Sequence, residues 1–383
     1  MVERLRIAFI TGSLAQGGAE KQLVYMIRAL CERGIEVRVH CSTQGEYYQV
    51  ELEKMGVQLE WSGRWGNPGL RLSSLFGAIK TFRPHIIQSA QFFTNLYAGI
   101  LGKMLNSVSI GCIRSDIREA LRLNGIWGNA LLRTPSAIIA NSTLAQKKII
   151  EMGFPTNRLF VIPNVIDLAA FDRLQANRSP DLFRRNDHFN VVAIARLTQV
   201  KRLERFIQAV ALARREEPGI RGVIIGDGPE KQFLMQTAKN EGFTPEDFLF
   251  TGARNDIPGL LAMADALALT SDFEGFPNVL LEAMAGSLPV ITTPVGEADR
   301  IVREGVNGYV IPFEDTAELA ARMIRLSRSE DLRRSMGKAG RWLVEQHYSY
   351  ETLAGQLLRI YREIAARLRN SSLLSMLAYP EAG

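Results

Sequence analysis

An alternation of strand-like and helix-like segments runs through this sequence twice and limits the folds that the chain can adopt. Short apolar runs bounded by turn residues predict buried strands, and apolar residues at helical spacing predict the helices between them. The predicted strands are residues 5–11, 36–42, 57–61, 85–90, 108–114, 137–142 and 159–163, and then 190–197, 222–226, 248–252, 266–271, 289–293 and 308–312. Such an alternation is typical of parallel sheets with helices on both faces.

The chain is also long enough for two domains, because 383 residues exceed one ordinary hydrophobic core. The strand–helix pattern breaks near residue 172, which predicts a first domain at 1–172, a linker at 173–189 and a second domain at 190–349. Residues 350–369 form a predicted amphipathic helix that crosses back to the first domain, and 370–383 a tail. Its apolar stripe is Leu353, Leu357, Ile360, Ile364 and Leu368. We therefore expect an α/β protein of two Rossmann-like, doubly wound domains facing each other across a cleft, with ligands at the carboxyl ends of the strands.

Composition narrows the function classes. The three cysteines and four histidines lack the spacing of a disulfide framework or a metal site. No apolar run is long enough to span a bilayer, and the start of the chain lacks a signal peptide's longer apolar region, so a cytoplasmic location is expected. Residues 1–188 carry 23 Lys and Arg against 15 Asp and Glu. This predicts an anionic partner or surface on the first domain, but no motif accompanies the charge that would indicate nucleic acid.

A glycine-rich turn, residues 12–18, lies between the first predicted strand and the helix that begins near Ala19. Free backbone N–H groups at a helix start suit a phosphate or a carboxylate. The turn is neither G-x-G-x-x-G nor a P-loop, so neither a dinucleotide fingerprint nor a Walker motif applies. Alone, it is equally well explained as a bend that needs glycine.

Two cations follow the first strand of the second domain. Arg196 and Lys201 lie where that strand leads into a helix, and from there they could neutralise a diphosphate. The alternative is that both are ordinary solvated cations at a helix start.

The most specific segment is residues 271–284, SDFEGFPNVLLEAM. Gly275 provides a turn, Pro277 suits the start of a helix, Glu274 precedes that helix and Glu282 lies inside it. Carboxylates on a ligand-facing loop and helix can accept hydrogen bonds from sugar hydroxyls. Helix capping would explain Glu274 taken alone, and a position on a solvated helix face would explain Glu282 taken alone. The presence of both glutamates around Gly-Phe-Pro-Asn favours a binding site.

With these residues the sequence resembles the family-four retaining glycosyltransferases of the two-domain GT-B fold over nearly its whole length. The family's E-x7-E motif corresponds to Glu274 and Glu282 in EGFPNVLLEAMA. Its glycine loop corresponds to Gly17-Gly18-Ala19-Glu20, and its Arg/Lys pair to Arg196 and Lys201. Further stretches fit at residues 226–229, 250–252 and 305–308.

The resemblance implies a role for each of these residues, with Glu274, Arg196 and Lys201 as the catalytic set. Arg196 and Lys201 would hold the diphosphate of a UDP- or GDP-linked sugar, Glu282 the ribose hydroxyls and Glu274 the hydroxyls of the transferred sugar. The remaining implied substrate-binding residues are Gly17, Gly18, Gly275, Phe276, Pro277 and Asn278, through their backbone, and Arg254, in the loop beside the base.

Two departures from the family pattern concern the first domain and the turn after Pro294. Many relatives carry a cleft histidine near residues 113–116, where this chain has none, and Asp116 or Arg114 is the candidate for that space. The family's glutamate after the Pro-Val-Gly turn has its counterpart here in Glu297, Asp299 and Arg300, differently arranged.

The mechanism implied by the family is metal-independent and uses no cofactor other than the nucleotide-sugar co-substrate. Since no carboxylate can be placed as a covalent nucleophile, front-face displacement through an oxocarbenium-like ion pair is favoured, with the β-phosphate as base. Three rivals stay open: a GT-B-fold epimerase or phosphorylase, a dinucleotide oxidoreductase and a non-enzymatic binding protein.

The acceptor is expected to be a glycan or a lipid-linked glycan, as in polysaccharide or glycolipid biosynthesis. Two first-domain segments mix cations with apolar and aromatic residues and suggest contact with an anionic membrane. They are Trp61, Arg64, Trp65, Leu70, Arg71, Leu72 and Phe76, and Arg118, Arg122, Trp127, Leu131, Leu132 and Arg133.

Overall fold

The computed structural model describes residues 4–63, 67–176 and 188–378. It divides into two compact units, one made of Met1–Asn164 and Tyr350–Gly383 and the other of Val165–Ser349. Residues 177–187 of the predicted linker, residues 379–383 of the predicted tail, and Arg64 and Trp65 lie outside the described residues.

The first unit is built on a parallel sheet. In its described part the strands are β1 (Arg6–Thr11), β2 (Glu36–Cys41), β3 (Gln58–Trp61), β4 (Ile86–Ser89), β5 (Val108–Ile113), β6 (Ala137–Ala140) and β7 (Leu159–Val161), in the order β3-β2-β1-β4-β5-β6-β7. The helices are α1 (Gly18–Cys31), α2 (Gln49–Lys54), α3 (Pro68–Phe82), α4 (Asn95–Leu105), α5 (Ile117–Asn124), α6 (Gly128–Arg133) and α7 (Thr143–Glu151). The strand order reverses direction between β1 and β4.

The second unit repeats this plan with a parallel sheet of its own. Its described strands are β8 (Phe189–Ile194), β9 (Ile220–Ile225), β10 (Phe248–Phe250), β11 (Ala266–Leu269), β12 (Val290–Thr292) and β13 (Gly308–Val310), in the order β10-β9-β8-β11-β12-β13. Its helices are α8 (Leu168–Ala176), α9 (Leu203–Arg214), α10 (Lys231–Asn240), α11 (Ile257–Leu261), α12 (Asn278–Ala285), α13 (Ala298–Ile301), α14 (Thr316–Ser327) and α15 (Glu330–His347). Here the order reverses between β8 and β11.

Each predicted strand overlaps one of these, because a strand covered by helices on both faces reads as a continuous apolar run. Strand β1, for example, is buried along nearly its whole length, and the residues of β11 are all buried. The expectation of an α/β chain with two Rossmann-like, doubly wound domains is confirmed.

The first of the two unit boundaries falls earlier in the chain than the sequence pattern places it. The structure assigns residues 165–172 to the second unit, because α8 packs there through Leu168 and Phe171 in a core shared with α11 and α12. Asp172 accepts from both terminal nitrogens of Arg341 on α15, at 2.6 and 2.8 Å, which fixes the outer side of α8 to the same unit.

The chain ends in the first unit with α16 (Leu353–Arg367) and α17 (Ser371–Leu377). Four residues of the predicted stripe, from Leu353 to Ile364, are buried. Leu368 is wrong as a member of that stripe, since the helix ends at Arg367 and Leu368 is 42% exposed. In the predicted tail, the Asn370 side chain caps α17 by accepting from the Leu373 backbone N–H, 2.9 Å away.

A buried hydrogen bond links α16 to the centre of the first sheet. The Tyr361 hydroxyl donates to Gln88 Oε1 on β4 over 2.5 Å, and both side chains are buried. Burial also raises the pKa of Tyr361, so the hydroxyl stays a donor.

We expect Tyr361→Phe to lower the free energy of unfolding by about 1–3 kcal/mol, because it leaves a buried amide oxygen without its donor. The matched control is Tyr350→Phe, which removes a hydroxyl that donates to Glu32 over 2.7 Å at the surface. Its ring packing on Arg28 and Tyr25 is kept, so its effect should stay below about 1 kcal/mol. Urea unfolding of both variants measures the difference, and equal losses would contradict the assignment.

Candidate active site

The carboxyl ends of β8 and β11 are neighbours at the point where the second sheet reverses its strand order. Such a switch point opens a crevice in which ligands bind in doubly wound sheets. The loop that carries Arg196 and Lys201 follows β8, and the loop that carries Glu274 follows β11. The two sequence motifs therefore leave the same edge of the sheet side by side.

Lys201 and Glu274 form an ion pair across these two loops. The ammonium Nζ lies 2.5 Å from Glu274 Oε1, and the Ser271 hydroxyl donates to the same oxygen over 2.8 Å. Both charged side chains are largely buried, so each depends on the other for compensation of its lost hydration. In the described part of the chain Glu274 Oε2 has no hydrogen-bond partner, which leaves it able to accept from a ligand hydroxyl.

Backbone contacts fix the two loops to each other around this pair. The Thr270 hydroxyl donates to the Lys201 carbonyl over 2.9 Å, and the Asp272 N–H donates to the Val200 carbonyl over 2.9 Å. Both contacts position the single 3₁₀ turn Gln199–Lys201. The lysine is thus held by its main chain as well as by its ammonium.

Arg196 is different. Its side chain is exposed, and among residues 4–63, 67–176 and 188–378 it makes no hydrogen bond and no ion pair. The loop that bears it is anchored by its neighbour Leu197, whose N–H donates to the Asp227 carbonyl over 3.0 Å. A fixed loop with an unpaired guanidinium is suited to bind an anion.

Asp272 is engaged by two arginines that sequence reasoning missed. Arg202 Nε lies 2.6 Å and Arg205 Nη1 2.7 Å from its two carboxylate oxygens. Arg202 adopts a left-handed backbone conformation with φ of 51° immediately before α9. The acidic Asp-Phe-Glu sequence thus sends its carboxylates to different cations, and the described residues contain no cluster of His, Cys, Asp or Glu that could hold a metal.

Helix α12 begins at Asn278, directly after the turn Gly275–Pro277. Phe276 and Pro277 are buried and fix the start of the helix against the core. Glu282 lies half-buried one turn further along. Residues 275–278 thus follow Glu274 directly in the loop after β11, and their part in binding a substrate stays a prediction.

The turn Pro294–Gly296 packs against the backbone of the Glu274 loop. Gly296 has φ of 57°, and a Cβ there would lie 3.1 Å from the carbonyl oxygens of both Glu274 and Gly275. Thr293, just before this turn, donates from its hydroxyl to the Ser271 carbonyl over 2.7 Å. Glu297 after the turn is buried and lies 3.6 Å from Arg300 in an ion pair.

Arg254 lies near this edge but is occupied. It forms a two-pronged ion pair with Asp256, with nitrogen–oxygen distances of 2.8 and 2.7 Å. Its loop is attached to the turn after β9, because the Gly226 N–H donates to the Gly252 carbonyl over 2.9 Å. The side chain is thus held flat beside Asp256, and the guanidinium face is the part left for a ligand.

In the first unit the glycine turn follows β1 at the other switch point. The Gly12 N–H donates to Gln91 Oε1 over 2.8 Å, and Gln91 Nε2 donates to Glu20 Oε1 over 2.8 Å. Gly17 is the N-cap residue just before α1 and provides no side-chain cap, and a Cβ there would lie 2.4 Å from Glu20 Oε2. The glycine therefore lets the Glu20 carboxylate fold back onto the start of its own helix.

Asp116 serves the fold of the first unit. Its Oδ1 accepts from the N–H groups of Arg118 and Glu119 over 2.9 and 3.2 Å and so caps α5, while Lys148 Nζ lies 2.6 Å from Oδ2. Burial opposes ionisation, but these hydrogen bonds outweigh it and lower the pKa of Asp116. Both oxygens are engaged, so the substrate-binding role of Asp116 stays a prediction that these contacts do not favour.

Arg114, two residues earlier, is the less satisfied of the two candidates. Burial lowers the pKa of its guanidinium, and its Nε has no hydrogen-bond partner. Nη1 lies 3.4 Å from Asn164 Oδ1, and no carboxylate is within ion-pair distance in the part of the chain that the structure describes. Of the residues near the missing histidine, it is therefore the cation that could still take a ligand.

Comparison with known proteins agrees with this geometry. Residues 175–342 match the family model for "Glycosyl transferases group 1", and residues 16–170 match that for "Glycosyltransferase Family 4". The chain is 33% identical over 183 residues to N-acetyl-alpha-D-glucosaminyl L-malate synthase of Bacillus anthracis, covering 48% of each chain. It is 29% identical over 219 residues to a GDP-mannose-dependent alpha-(1-6)-phosphatidylinositol monomannoside mannosyltransferase of Mycobacterium tuberculosis, covering 54% of this chain and 57% of that one. The chain spans about half the length of the curated relatives it matches.

Solved structures match over a greater length. Anabaena HepE in complex with UDP and glucose superimposes with a TM-score of 0.81 at 22% identity, covering 93% of this chain and 99% of that one. A sucrose-phosphate synthase from Thermosynechococcus elongatus gives a TM-score of 0.77 at 19% identity, covering 95% and 100%. At these identities the likeness concerns the fold.

We expect Gly296→Ala to cost more stability than Gly305→Ala, although both glycines have positive φ. A Cβ at Gly305 meets open space, so only backbone strain of about 1 kcal/mol is added. At Gly296 the Cβ must also push the carbonyls of Glu274 and Gly275 aside, which should bring the loss to about 2 kcal/mol or more. Urea unfolding measures the free energy of unfolding of both variants. Equal losses would show that the turn at Gly296 does not pack tightly against the Glu274 loop.

Proposed function

We propose that this chain, which belongs to the family-four glycosyltransferases of the GT-B fold, transfers a sugar from a nucleotide-sugar donor to an acceptor with retention of anomeric configuration. The observation that carries the proposal is the Lys201–Glu274 pair at the switch point of the second sheet, with unpaired Arg196 on the neighbouring turn. This arrangement offers cations to a diphosphate and a carboxylate oxygen to a sugar hydroxyl.

The reaction breaks the bond between the anomeric carbon and the diphosphate oxygen and forms a bond from that carbon to an acceptor oxygen. Negative charge grows on the departing diphosphate, and cations held in place beforehand stabilise it by several kcal/mol. Arg196 and Lys201 supply this stabilisation, while the acceptor proton passes to a β-phosphate oxygen. Glu274 orients the sugar through Oε2, since Oε1 is held by Lys201 and Ser271.

Lys201 can serve both partners because an ammonium has three N–H donors, of which Glu274 takes one. The paired carboxylate fixes where the lysine stands, and the other N–H groups face the anion. Glu282 on α12 binds the ribose hydroxyls, and the backbone of residues 275–278 lines the sugar and phosphate pocket.

The donor is a UDP- or GDP-linked sugar. In support, HepE is described in complex with UDP-glucose, and the mycobacterial relative is described as GDP-mannose-dependent. The transfer needs no metal in this proposal, because Asp272 is committed to Arg202 and Arg205 and Glu274 to Lys201. Chelation is the direct test of this point.

The acceptor is a glycan or lipid-linked glycan, handled by a cytoplasmic protein at the inner face of an anionic membrane. The excess of Lys and Arg in residues 1–188 supports such a surface. The mycobacterial relative, described as acting on a phosphatidylinositol mannoside, supports a lipid acceptor. No helix among the described residues is long and apolar enough to cross a bilayer.

The two glutamates should separate binding from transfer. Glu282→Ala should weaken binding of free nucleoside diphosphate, because the ribose hydroxyls lose their acceptor. Glu274→Ala should leave that binding largely unchanged and impair turnover, because in this proposal its carboxylate contacts the transferred sugar and no part of the nucleotide. Calorimetric titration with UDP and GDP, beside product formation from the corresponding sugars, measures both. Equal nucleotide affinity in the two variants would refute these roles.

The side chains of Arg196 and Lys201 should stabilise the transition state of sugar transfer. Arg196→Ala and Lys201→Ala should each lower kcat by roughly 10²–10³-fold, the usual cost of removing one contact to a developing anion. Lys231→Ala, which breaks an exposed ion pair with Asp227 in the same unit, is the control and should keep wild-type activity. Slow hydrolysis of the donor is the assay, since it needs no acceptor. Loss of activity in EDTA that manganese restores would overturn the metal-independent mechanism.

A further inference from the structure

The corner between α5 and α6 in the first unit exposes three large apolar side chains in a row. Leu123 is 71% exposed, Ile126 89% and Trp127 62%. Single exposed apolar residues are ordinary, but three within five positions form a patch that calls for an explanation. We call these three residues the apolar corner.

The exposure follows from how the corner is built. On its inner side Ile117, Ala120, Leu131 and Leu132 are buried in a core shared with Phe92 and Ile113. The chain turns at Gly125, with φ of 52°, through the 3₁₀ turn Gly125–Trp127. The packed inner face fixes the turn and directs the apolar corner outwards. The expectation that Leu131 and Leu132 contribute to a surface is therefore wrong, and Leu123 and Ile126 take their place beside Trp127.

The surroundings of the apolar corner are basic. Arg118, Arg122 and Arg133 are exposed around it. Of the two acids nearby, Glu119 is paired with Arg122 and Asp116 with Lys148, each with a closest distance of 2.6 Å. Arg118 on α5 and Arg133 on α6, the two helices that meet at this corner, are thus exposed cations with no ion pair among the described residues.

We propose that the apolar corner inserts into the headgroup region of an anionic bilayer and holds the first unit at the membrane surface. A tryptophan with aliphatic neighbours and flanking arginines matches the boundary between acyl chains and anionic headgroups. The three side chains expose on the order of 400 Å², about half of the ~800 Å² that each partner contributes to a standard protein interface. A small protruding patch of this kind fits insertion into lipid better than a second protein.

This inference deepens the proposal of a lipid-linked acceptor, but its test reads membrane binding and does not depend on transfer. The protein is floated with vesicles of phosphatidylcholine alone and of phosphatidylcholine mixed with phosphatidylglycerol, at low and high salt. We expect the protein to bind the mixed vesicles and this binding to weaken as salt is added. We also expect the tryptophan fluorescence to shift to the blue on binding, and Trp127→Phe to remove this shift.

The decisive variant is Ile126→Asp, which should lower the partition coefficient about tenfold or more, because an apolar anchor becomes an anion. The matched control is Phe233→Asp on α10 of the second unit, where the phenylalanine is 54% exposed. It should bind as the wild type does. Arg118→Glu combined with Arg133→Glu should weaken binding and reduce its salt dependence.

Donor hydrolysis separates this inference from the proposed function. Ile126→Asp should hydrolyse the nucleotide sugar at the wild-type rate, which also shows that it folds. Wild-type vesicle binding by Ile126→Asp, or no binding of the wild-type protein to anionic vesicles at low salt, would overturn the inference. So would a dimer in size-exclusion chromatography that Ile126→Asp dissociates, since the patch would then be a contact between two copies.

Discussion

The candidate active site depends on the ion pair between Lys201 and Glu274, which joins the loops after two adjacent parallel strands. Neither loop is regular structure, so each needs partners for its backbone groups and its charges. The Lys201 and Val200 carbonyls receive hydrogen bonds from the β11 loop, and the ammonium meets the carboxylate of that loop. Because both charges are largely buried, breaking either partner leaves an uncompensated charge. The same contact thus stabilises this edge of the sheet and positions the groups that meet the substrate in the proposed reaction.

Around this pair, most charged side chains at the described strand edge are paired, whereas the Arg196 guanidinium has no ion-pair partner among the described residues. Asp272 takes Arg202 and Arg205, Glu274 takes Lys201, and Arg254 takes Asp256. Each pairing holds an element in place and removes a charge from competition for the ligand. The Arg196 side chain forms no ion pair among the described residues, and its loop is held in place by backbone hydrogen bonds of neighbouring residues instead. A guanidinium in that position breaks no ion pair when a diphosphate binds, so only the loss of its hydration and side-chain freedom opposes the charge-assisted contact.

Much of the fold could be predicted from the sequence, because strands buried on both faces leave apolar runs and the turns between them contain glycine and proline. Candidate site residues could be named too, through the motif around Glu274 and Glu282, and their roles stay predictions. The contacts could not: Lys201 and Glu274 lie 73 positions apart, and no local pattern reports on such a pair. The arginine clamp on Asp272, the end of α16 before Leu368 and the outward side of the α5–α6 corner likewise depend on tertiary packing. Helical periodicity shows which residues share a face, but it does not show where the helix stops or which face is covered.

The two switch points differ in charge, and this difference affects which ligand groups each unit can bind. At the second, the available side chain is a cation. At the first, the start of α1 already has the Glu20 carboxylate folded towards Gly17, and Gln91 links that carboxylate to the Gly12 turn. An anion approaching this helix start would meet a carboxylate of its own sign, whereas a hydroxyl group would find acceptors and donors of the right kind. The glycine turn is therefore better suited to a hydroxyl group than to a diphosphate, which fits the proposal that Arg196 and Lys201 stabilise the leaving group.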